Sequence, residues 1–255
     1  MEASNGHKPT IRVAAAADVH TRESRREHTV RALGELRGSA DIVLLAGDLT
    51  TYGRPEEARV LADACEPLDL PIFAVLGNHD WHANRRDEVV AVLEAGGVRV
   101  LDRSWDVVSV GGYEVGVVGV KGFIGGFAGS QLTDFGEPLL REVYAETSAE
   151  VEALDDGLRR VSHCPVRLVA MHYSPTEETV AGEPAGIQAF LGSDRLAAPL
   201  LEHQPDLVVH GHAHAGQFAG RIGEMEVFNV SVEVTGRDFW LFELSPATAV
   251  AAPVH

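Results

Sequence analysis

Side chains that can bind a metal ion recur at five places along the chain, each directly after an apolar run. They offer carboxylate, amide and imidazole groups, which suit hard to borderline divalent cations. No cysteine joins them, which argues against a structural zinc site built from thiolates. Because ligands of open α/β sheets bind beyond the carboxyl ends of the strands, we expect these groups to meet in one crevice. The set consists of Asp18 and His20, then Asp48, then Asn78, His79 and Asp80, then His172, and last His212 and His214.

The spacing within this set indicates two metal ions. In Asp18-x-His20 and His212-x-His214, the alternation of an extended chain points both side chains of a pair the same way. Each pair can therefore supply more than one ligand from a short segment. A carboxylate such as Asp48 has about four lone-pair sites on two oxygens, so it can bridge two ions. Glycines directly before three of the segments permit sharp turns and a close approach of the backbone.

The first part of the chain alternates strands with helices. Strands are predicted over residues 11–17, 41–46 and 71–76, and helices over 24–37, 55–65 and 83–95. This alternation is typical of an α/β fold with a mainly parallel sheet. Four consecutive alanines within 11–17 favour a helix locally, so the strand predicted there depends on its context.

In the second part of the chain, strand patterns are more frequent and predict a second sheet. A Gly-Gly pair between two alternating runs indicates a β-hairpin over 107–110 and 113–120. Helices are predicted over 138–161 and over 194–203, the latter capped by Ser193, and strands over 166–170, 207–209, 227–230 and 239–244. We expect a flexible tail over residues 1–10 and a single domain over 11–255.

The motifs resemble those of the calcineurin-like metallophosphoesterases. They occur in the order of that family, no motif ligand is missing, and they span about three quarters of the chain. In this sequence they are Asp18-x-His20, Gly47-Asp48, Gly77-Asn78-His79-Asp80, His172 and Gly211-His212-x-His214. The resemblance implies a four-layer α/β/β/α sandwich of two mixed sheets flanked by helices.

The resemblance also implies a role for each motif residue. One metal ion would be held by Asp18, His20, Asp48 and His214, and the second by Asp48, Asn78, His172 and His212, with Asp48 as the bridge. The ions expected are manganese, iron or zinc. A hydroxide between them would attack phosphorus, His79 would act as general acid towards the leaving group, and Asp80 would orient His79.

Three alternatives to a phosphodiesterase stay open from the sequence. Similarity to class III cyclic-nucleotide phosphodiesterases favours phosphodiesters, but a phosphomonoesterase would use the same ligands. A protein-binding scaffold on this fold would typically lack motif ligands, including the histidine of Asn-His, whereas His79 is present here. A DNA nuclease conflicts with the net charge of −17 and with the lack of a basic stripe.

Composition limits the partners and the compartment. The net charge of −17 repels long duplex nucleic acid and anionic membranes, although bound cations can still attract a small phosphoester. No apolar run reaches the roughly 18 residues of a membrane span, and the start of the chain has no apolar signal region. Two distant cysteines exclude a disulfide framework, so we expect a cytoplasmic protein.

Several other residues are candidates for a role near the substrate. Residues 121–161 are a candidate lid or cap, because their first part is rich in Gly and Phe, but a packed surface loop is an equal alternative. His82 and Arg85 either reach the substrate or lie on a solvated helix start. His210 is expected to point into the fold.

Overall fold

The computed structural model describes residues 10–246, so the predicted tail lies outside the described residues apart from Thr10. The strands are β1 (Ile11–Ala16), β2 (Ile42–Ala46), β3 (Ile72–Val75), β4 (Val98–Val100), β5 (Ser104–Val110), β6 (Tyr113–Gly119), β7 (Val166–Ala170), β8 (Leu207–His210), β9 (Ala219–Ile222), β10 (Met225–Asn229) and β11 (Trp240–Leu244). The α-helices are α1 (Arg26–Gly34), α2 (Pro55–Cys65), α3 (Arg86–Ala95), α4 (Pro138–Arg160), α5 (Glu177–Val180), α6 (Ala197–His203) and α7 (Val232–Thr235).

The strands form two mixed sheets. The first has five strands in the order β11-β1-β2-β3-β4, parallel except for β11. The second has six strands in the order β5-β6-β7-β8-β10-β9, in which β6, β7, β8 and β10 are parallel and the two edge strands are antiparallel. The parallel strands of both sheets end near one another, and this common end carries the motif residues.

Three apolar clusters pack the sheets and helices into layers. One core cluster joins the facing sides of the two sheets through residues such as Val13, Leu44 and Leu168. A second cluster packs the outer side of the first sheet against α1, α2 and α3, and a third packs the outer side of the second sheet against α4 and α6. The predicted four-layer α/β/β/α sandwich is therefore confirmed.

The alanine-rich run forms a strand, as its context predicted. Ala14, Ala15 and Ala16 are buried, and β1 pairs with β2 on one side and with β11 on the other. Burial on both faces suits a central parallel strand, and the pairing outweighs the helix propensity of alanine. Beyond the strand, Ala17 donates to the carbonyl of Val230 at 2.9 Å, which ties the two sheets together at their common end.

The structure corrects several element boundaries. Strands β4 and β9 and helices α5 and α7 were not predicted, because three or four residues are too few to show a period. The helix expected over 24–37 begins as a 3-10 turn over Glu23–Arg25 and ends at Gly34. Ser193 accepts from the backbone N–H of Arg195, as predicted, but it caps a 3-10 turn that leads into α6.

Both cysteines are buried and free. None of the helices over residues 10–246 has the length and the apolar content needed to cross a membrane.

The packing of α4 on the second sheet predicts opposite effects for two helical Gly→Ala substitutions. A Cβ at Gly157 would lie 2.6 Å from Cγ1 of Val118, whereas a Cβ at Gly34 meets nothing within 4 Å. Gly34→Ala should raise the free energy of unfolding by about 0.5–1 kcal/mol, through helix propensity. Gly157→Ala should lower it by about 1–2 kcal/mol, because overpacking outweighs the same propensity gain. Urea unfolding of the two variants measures both values, and stabilisation by Gly157→Ala would contradict the packing described here.

Candidate metal centre

The predicted ligands lie on loops that directly follow strands of both sheets. Four of them, Asp18, His20, Asp48 and His212, have left-handed backbone φ angles of 58°, 43°, 51° and 71°. Seven non-glycine residues have positive φ among residues 10–246, so more than half of this unusual group belongs to the predicted set. Because such angles cost about 1–3 kcal/mol each, they persist where surrounding contacts fix them and they concentrate at functional sites.

The first ligand group joins the two sheets. One ligand atom each from Asp18, His20, Asp48 and His214 lies within 4.8 Å of all the others. Nε2 of His214 is 3.2 Å from Oδ1 of Asp18, and Nε2 of His20 is 3.8 Å from Oδ2 of Asp48. The structure thus brings together the four residues expected to hold one ion.

The second ligand group shares Asp48 with the first. Ligand atoms of Asp48, His172 and His212 lie within 4.8 Å of one another. Nε2 of His172 is 3.4 Å from Oδ1 of Asp48 and 2.9 Å from Oδ1 of Asn78, which adds the amide oxygen expected in this group. All seven predicted ligands therefore converge, and Asp48 lies between the two groups.

Backbone and carboxylate acceptors fix the orientation of three histidine rings. Nδ1 of His172 lies 3.0 Å from the carbonyl of Ala46, and Nδ1 of His20 lies 3.3 Å from that of Thr50. Nδ1 of His214 lies 2.8 Å from a carboxylate oxygen of Glu233. Since these oxygens can only accept, each Nδ1 carries a proton, and in a neutral ring Nε2 presents its lone pair to the carboxylate and amide oxygens of the site.

This arrangement fits a cation. Oδ2 of Asp48 is buried and has no hydrogen-bond partner. Asp18 and Asp48 are each only 1% exposed, so two carboxylates and several lone pairs face one another away from water. Burying charge without compensation is costly, and metal ions coordinated by these atoms would supply the compensation.

The protonation states agree with metal binding. Burial and the neighbouring His172 lower the pKa of His212 to about 3, which keeps this ring neutral as a ligand must be. Burial opposes ionisation of Asp18, but His214, His172 and the backbone N–H of His212 together hold the pKa of Asp18 well below its usual range. The Asp18 carboxylate raises the pKa of His214 to about 9, so a cation bound here would displace a proton from that ring.

Two glycines leave the space that the ligands occupy. A Cβ at Gly77 would lie 2.1 Å from Oδ1 of Asp48, and a Cβ at Gly47 would lie 2.4 Å from Nδ1 of His172. Gly47 also has a positive φ of 90°. The expectation that glycine before a ligand permits close approach is confirmed at both positions.

His79 lies beside Asp48 and faces solvent on one side. Its backbone N–H donates to Oδ1 of Asp48 at 2.8 Å, and its Nδ1 lies 2.9 Å from the carbonyl of Thr51. Its Nε2 is 3.9 Å from Oδ2 of Asp48, and the side chain is one-third exposed. The ring therefore points its free nitrogen towards the space above the ligand groups.

The structure corrects the role expected for Asp80. Its two oxygens accept from the backbone N–H groups of Leu49, Thr50 and Gly77 and from the hydroxyl of Thr50, at 2.6–3.1 Å. None of these partners is the His79 ring, which is held by Thr51 instead. Adjacent residues of the 3-10 turn His79–Trp81 point in different directions, so Asp80 faces inward and ties the loops after β2 and β3 together.

The structure places the remaining candidates as follows. His210 is fully buried, and its Nε2 lies 2.8 Å from the hydroxyl oxygen of Thr179, so the inward orientation expected for it is confirmed. The His82 ring centroid lies 4.3 Å from that of His79. Arg85 instead forms an ion pair with Glu88 on the helix surface, at 2.7 Å.

Two features near the ligands, Glu233 and a cavity, lie outside the predicted metal motifs. Glu233 lies in the unpredicted helix α7 and orients His214. A cavity of about 290 Å³ beside Asn78 is lined by Trp81, Lys121 and Phe123, among others. The Lys121 ammonium lies 4.2 Å from the Phe123 ring centroid, and burial lowers the pKa of this lysine. These residues belong to no metal motif, and only the fold brings them to the site.

The candidate lid begins at this cavity but also contributes to the core. Phe123 lines the cavity, whereas Phe127 is 3% exposed and packs in a small cluster with Val180, Leu191 and Ala213. Phe135 is 80% exposed. Movement of residues 121–161 as a lid stays a prediction.

Comparison with known proteins identifies related chains. The family model described as calcineurin-like phosphoesterase matches residues 11–216. A curated relative, the probable glycerophosphodiester phosphodiesterase GpdQ of Arcobacter nitrofigilis, is 32% identical over 56 residues. That match covers 22% of this chain and 20% of the relative, so the chain matches about a fifth of that protein's length.

Solved structures share the whole architecture. The phosphopantetheinyl hydrolase PptH of Mycobacterium tuberculosis has a TM-score of 0.66 and 17% identity, with 97% of this chain and 100% of that chain covered. The protein TT1561 of Thermus thermophilus has a TM-score of 0.57 and 18% identity, with coverage of 94% and 100%. At these identities the similarity shows the fold alone.

The shared position of Asp48 predicts different metal contents for two aspartate variants. After loading with Mn²⁺, the wild-type protein should hold about two ions per chain, as two-metal sites of this type do. Asp18→Ala should keep about one of them, whereas Asp48→Ala should keep almost none, because both ligand groups lose a member. Elemental analysis at several free Mn²⁺ concentrations measures these values.

Asp63→Ala, which removes a carboxylate bound to Arg26 at the surface, is the matched control and should bind metal like the wild type. Equal losses in Asp18→Ala and Asp48→Ala, equally restored by added metal, would argue against a bridging role for Asp48.

Proposed function

The chain belongs to the calcineurin-like phosphoesterase family, and we propose that it hydrolyses phosphoesters, preferably phosphodiesters, at a centre of two metal ions. The observation that carries this proposal is the pair of ligand groups that share Asp48, whose buried Oδ2 has no protein partner. Members of this family use divalent metals, and every ligand position of the motif is filled by a residue that can coordinate one.

The ligand groups assign the side chains to the two ions. Asp18, His20, Asp48 and His214 would hold the first, and Asp48, Asn78, His172 and His212 would hold the second. When bound, manganese, iron or zinc ions would lower the pKa of the attacking water and neutralise charge on the phosphoryl oxygens. Glu233 orients His214 from outside the ligand set, as carboxylates often do for metal-binding histidines.

His79 is the residue that would protonate the leaving group. The Thr51 carbonyl holds the proton on Nδ1, so a proton carried on Nε2 is the one free to be donated. After donation the ring is left as the neutral Nδ1–H tautomer, which the same carbonyl continues to bind. Nε2 faces the ligand groups from the solvent side, where an ester oxygen would depart.

Asp80 supports this chemistry indirectly. By accepting from Leu49, Thr50 and Gly77 it fixes the loops that carry Asp48 and His79. We therefore propose that Asp80 is a positioning residue for the bridging ligand rather than a partner of the acid.

The preference for diesters rests on one supporting point. The curated relative carries the name of a phosphodiesterase, although it matches only 56 residues. An alkoxide is a poor leaving group in diesters and in monoesters alike, so the proposed acid His79 suits both classes. A phosphomonoesterase with the same ligands is the alternative.

We further propose a small phosphoester as the substrate and the cytoplasm as the compartment. The net charge of −17 disfavours long nucleic acid and anionic membrane surfaces. Two buried free cysteines suit a reducing environment.

A side-by-side substrate panel tests the proposed activity. The Mn²⁺-loaded protein should hydrolyse phosphodiesters such as bis(4-nitrophenyl) phosphate, glycerophosphodiesters and cyclic nucleotides with higher kcat/KM than the matching phosphomonoesters. Asp48→Ala is the inactive control, because it loses the shared ligand. A preference for monoesters would support the alternative, and no metal-dependent hydrolysis of either class would contradict the proposal.

The acid role of His79 predicts a dependence on the leaving group. A nitrophenolate departs without a proton, whereas an alkoxide does not, and general acid catalysis typically contributes about 10²–10⁴-fold. His79→Ala should therefore lose about that factor in kcat/KM on alkyl esters and much less on nitrophenyl esters. Bound metal should stay near the wild-type amount, because the His79 contact to Asp48 is made by the backbone.

His82→Ala is the comparison variant, since its ring adjoins His79 without contacting Asp48. It should lose less than tenfold on both ester types, since its ring lies beyond His79. Equal losses on both esters in His79→Ala, or the larger alkyl-ester loss in His82→Ala, would show that His79 is not the acid.

A further inference from the structure

A cavity of about 340 Å³ lies on the outer side of the first sheet, next to the first ligand group. It is bounded by α1, by the loop that carries Asp18 and His20, and by the segment 232–239. Its floor includes Ala32, Leu33 and Leu61, which are 7%, 1% and 1% exposed. The floor is therefore apolar and deep, and the volume lies within the range of small-molecule sites, about 300–1,000 Å³.

Two arginines that line this cavity are not paired with any of the carboxylates that line it. Arg25 and Arg237 both line it, and neither has an ion-pair partner among residues 10–246. Arg237 lies over the ring of Trp240, at 4.8 Å. The three carboxylates that line the cavity contact histidines instead. Asp238 contacts His28 at 2.9 Å, and Asp18 and Glu233 contact His214 at 3.2 and 2.8 Å. In a chain of net charge −17, two free guanidinium groups beside an apolar cavity favour an anionic ligand.

We infer that this cavity binds an amphipathic anion, with an alkyl or acyl chain on the apolar floor and a carboxylate or phosphate head near Arg25 and Arg237. The chain would displace water from the surfaces of Ala32, Leu33 and Leu61. The head would bind one or both guanidinium groups, which present paired donors to planar or tetrahedral oxyanions. This binding does not require the protein to be a phosphoesterase.

Because the cavity adjoins the first ligand group, such a ligand could be part of the substrate or a separate molecule. Asp18 and His20 belong both to its wall and to the first ligand group. The occupant is therefore either an apolar ester arm of the substrate or a separate molecule bound against the metal ligands. In both cases an alkyl chain lies on the apolar floor and its anionic end faces the polar rim. For the substrate this end is the phosphoryl group at the metal ligands, and for a separate molecule it is the head bound by Arg25 and Arg237.

Titration calorimetry with hexanoate, octanoate and decanoate, on the full metal-loaded chain, tests the inference. Each added methylene buried on the floor should lower Kd by about fourfold. Arg25→Gln should raise Kd for octanoate about tenfold or more, because a charged hydrogen bond is lost. Arg22→Gln, which changes an exposed arginine outside the cavity, is the matched control and should bind like the wild type.

Filling the cavity gives a second, independent measurement. Ala32→Phe should abolish octanoate binding, whereas Val30→Phe, on the same helix but 47% exposed and outside the cavity, should not. If Ala32→Phe fails to fold, the dependence of Kd on chain length and the Kd of Arg25→Gln still test the inference. Affinity that is independent of chain length, or equal losses in Arg25→Gln and Arg22→Gln, would overturn the inference.

The source is distinguished with 4-nitrophenyl alkyl phosphodiesters of increasing chain length. A rise in kcat/KM with chain length that Ala32→Phe removes identifies the substrate's own arm. Octanoate binding without such a rise identifies a separate ligand. Since calorimetry needs no turnover, loss of the proposed phosphoesterase function and loss of this binding site are separate results.

Discussion

The buried carboxylate of Asp48 is the group on which the rest of this structure depends. Its Oδ1 accepts the backbone N–H of His79, while its Oδ2 is buried without any hydrogen-bond partner. A buried ionised oxygen without a hydrogen-bond partner is unfavourable, and a bound cation would compensate its charge. The two ligand groups meet at this carboxylate, because each includes Asp48. The first adds side chains that follow β1 and β8, and the second adds side chains that follow β3, β7 and β8. The left-handed backbone at Asp48 and the absence of a Cβ at Gly77 are what allow this carboxylate to lie between them.

Asp80 is a second buried carboxylate close to the first, and its environment is the opposite. Four donors surround it, and they come from the loops after β2 and β3. Burial and the neighbouring Asp48 nevertheless raise the pKa of Asp80, so the two negative charges are in tension. Asp80, whose oxygens accept four hydrogen bonds, thus holds the loops together. The same loops carry Asp48, whose Oδ2 has no hydrogen-bond partner. A cation that binds Asp48 would relieve the strain on both.

The sequence could predict that the candidate ligands converge, because each of them follows a strand whose apolar run is easily recognised. Val43, Leu44 and Leu45 are fully buried, and Asp48 comes three residues after the last of them. Asp80 was assigned wrongly because adjacency in sequence says little about adjacency of side chains in a 3-10 turn. Glu233 could not be predicted at all, since it reaches His214 from a four-residue helix with no period of its own. The local sequence pattern therefore located the candidate ligands. The contacts that Asp80 and Glu233 make around them depend on tertiary packing and could not be predicted in this way.

The candidate metal ligands can be recognised from sequence pattern, whereas the walls of the neighbouring cavities depend on tertiary packing. Metal ligands are restricted to few residue types at fixed backbone positions, so they can be recognised in a sequence. The walls on either side of the centre are different, because the cavity beside Asn78 owes its character to Lys121 and Phe123, and the one beside His20 to Arg25. Lys121 and Phe123 lie on a loop and Arg25 lies in a 3-10 turn, outside the strand-end motifs. A motif of metal ligands can therefore indicate a class of reaction, whereas Lys121, Phe123 and Arg25, which line the two cavities, belong to no metal motif.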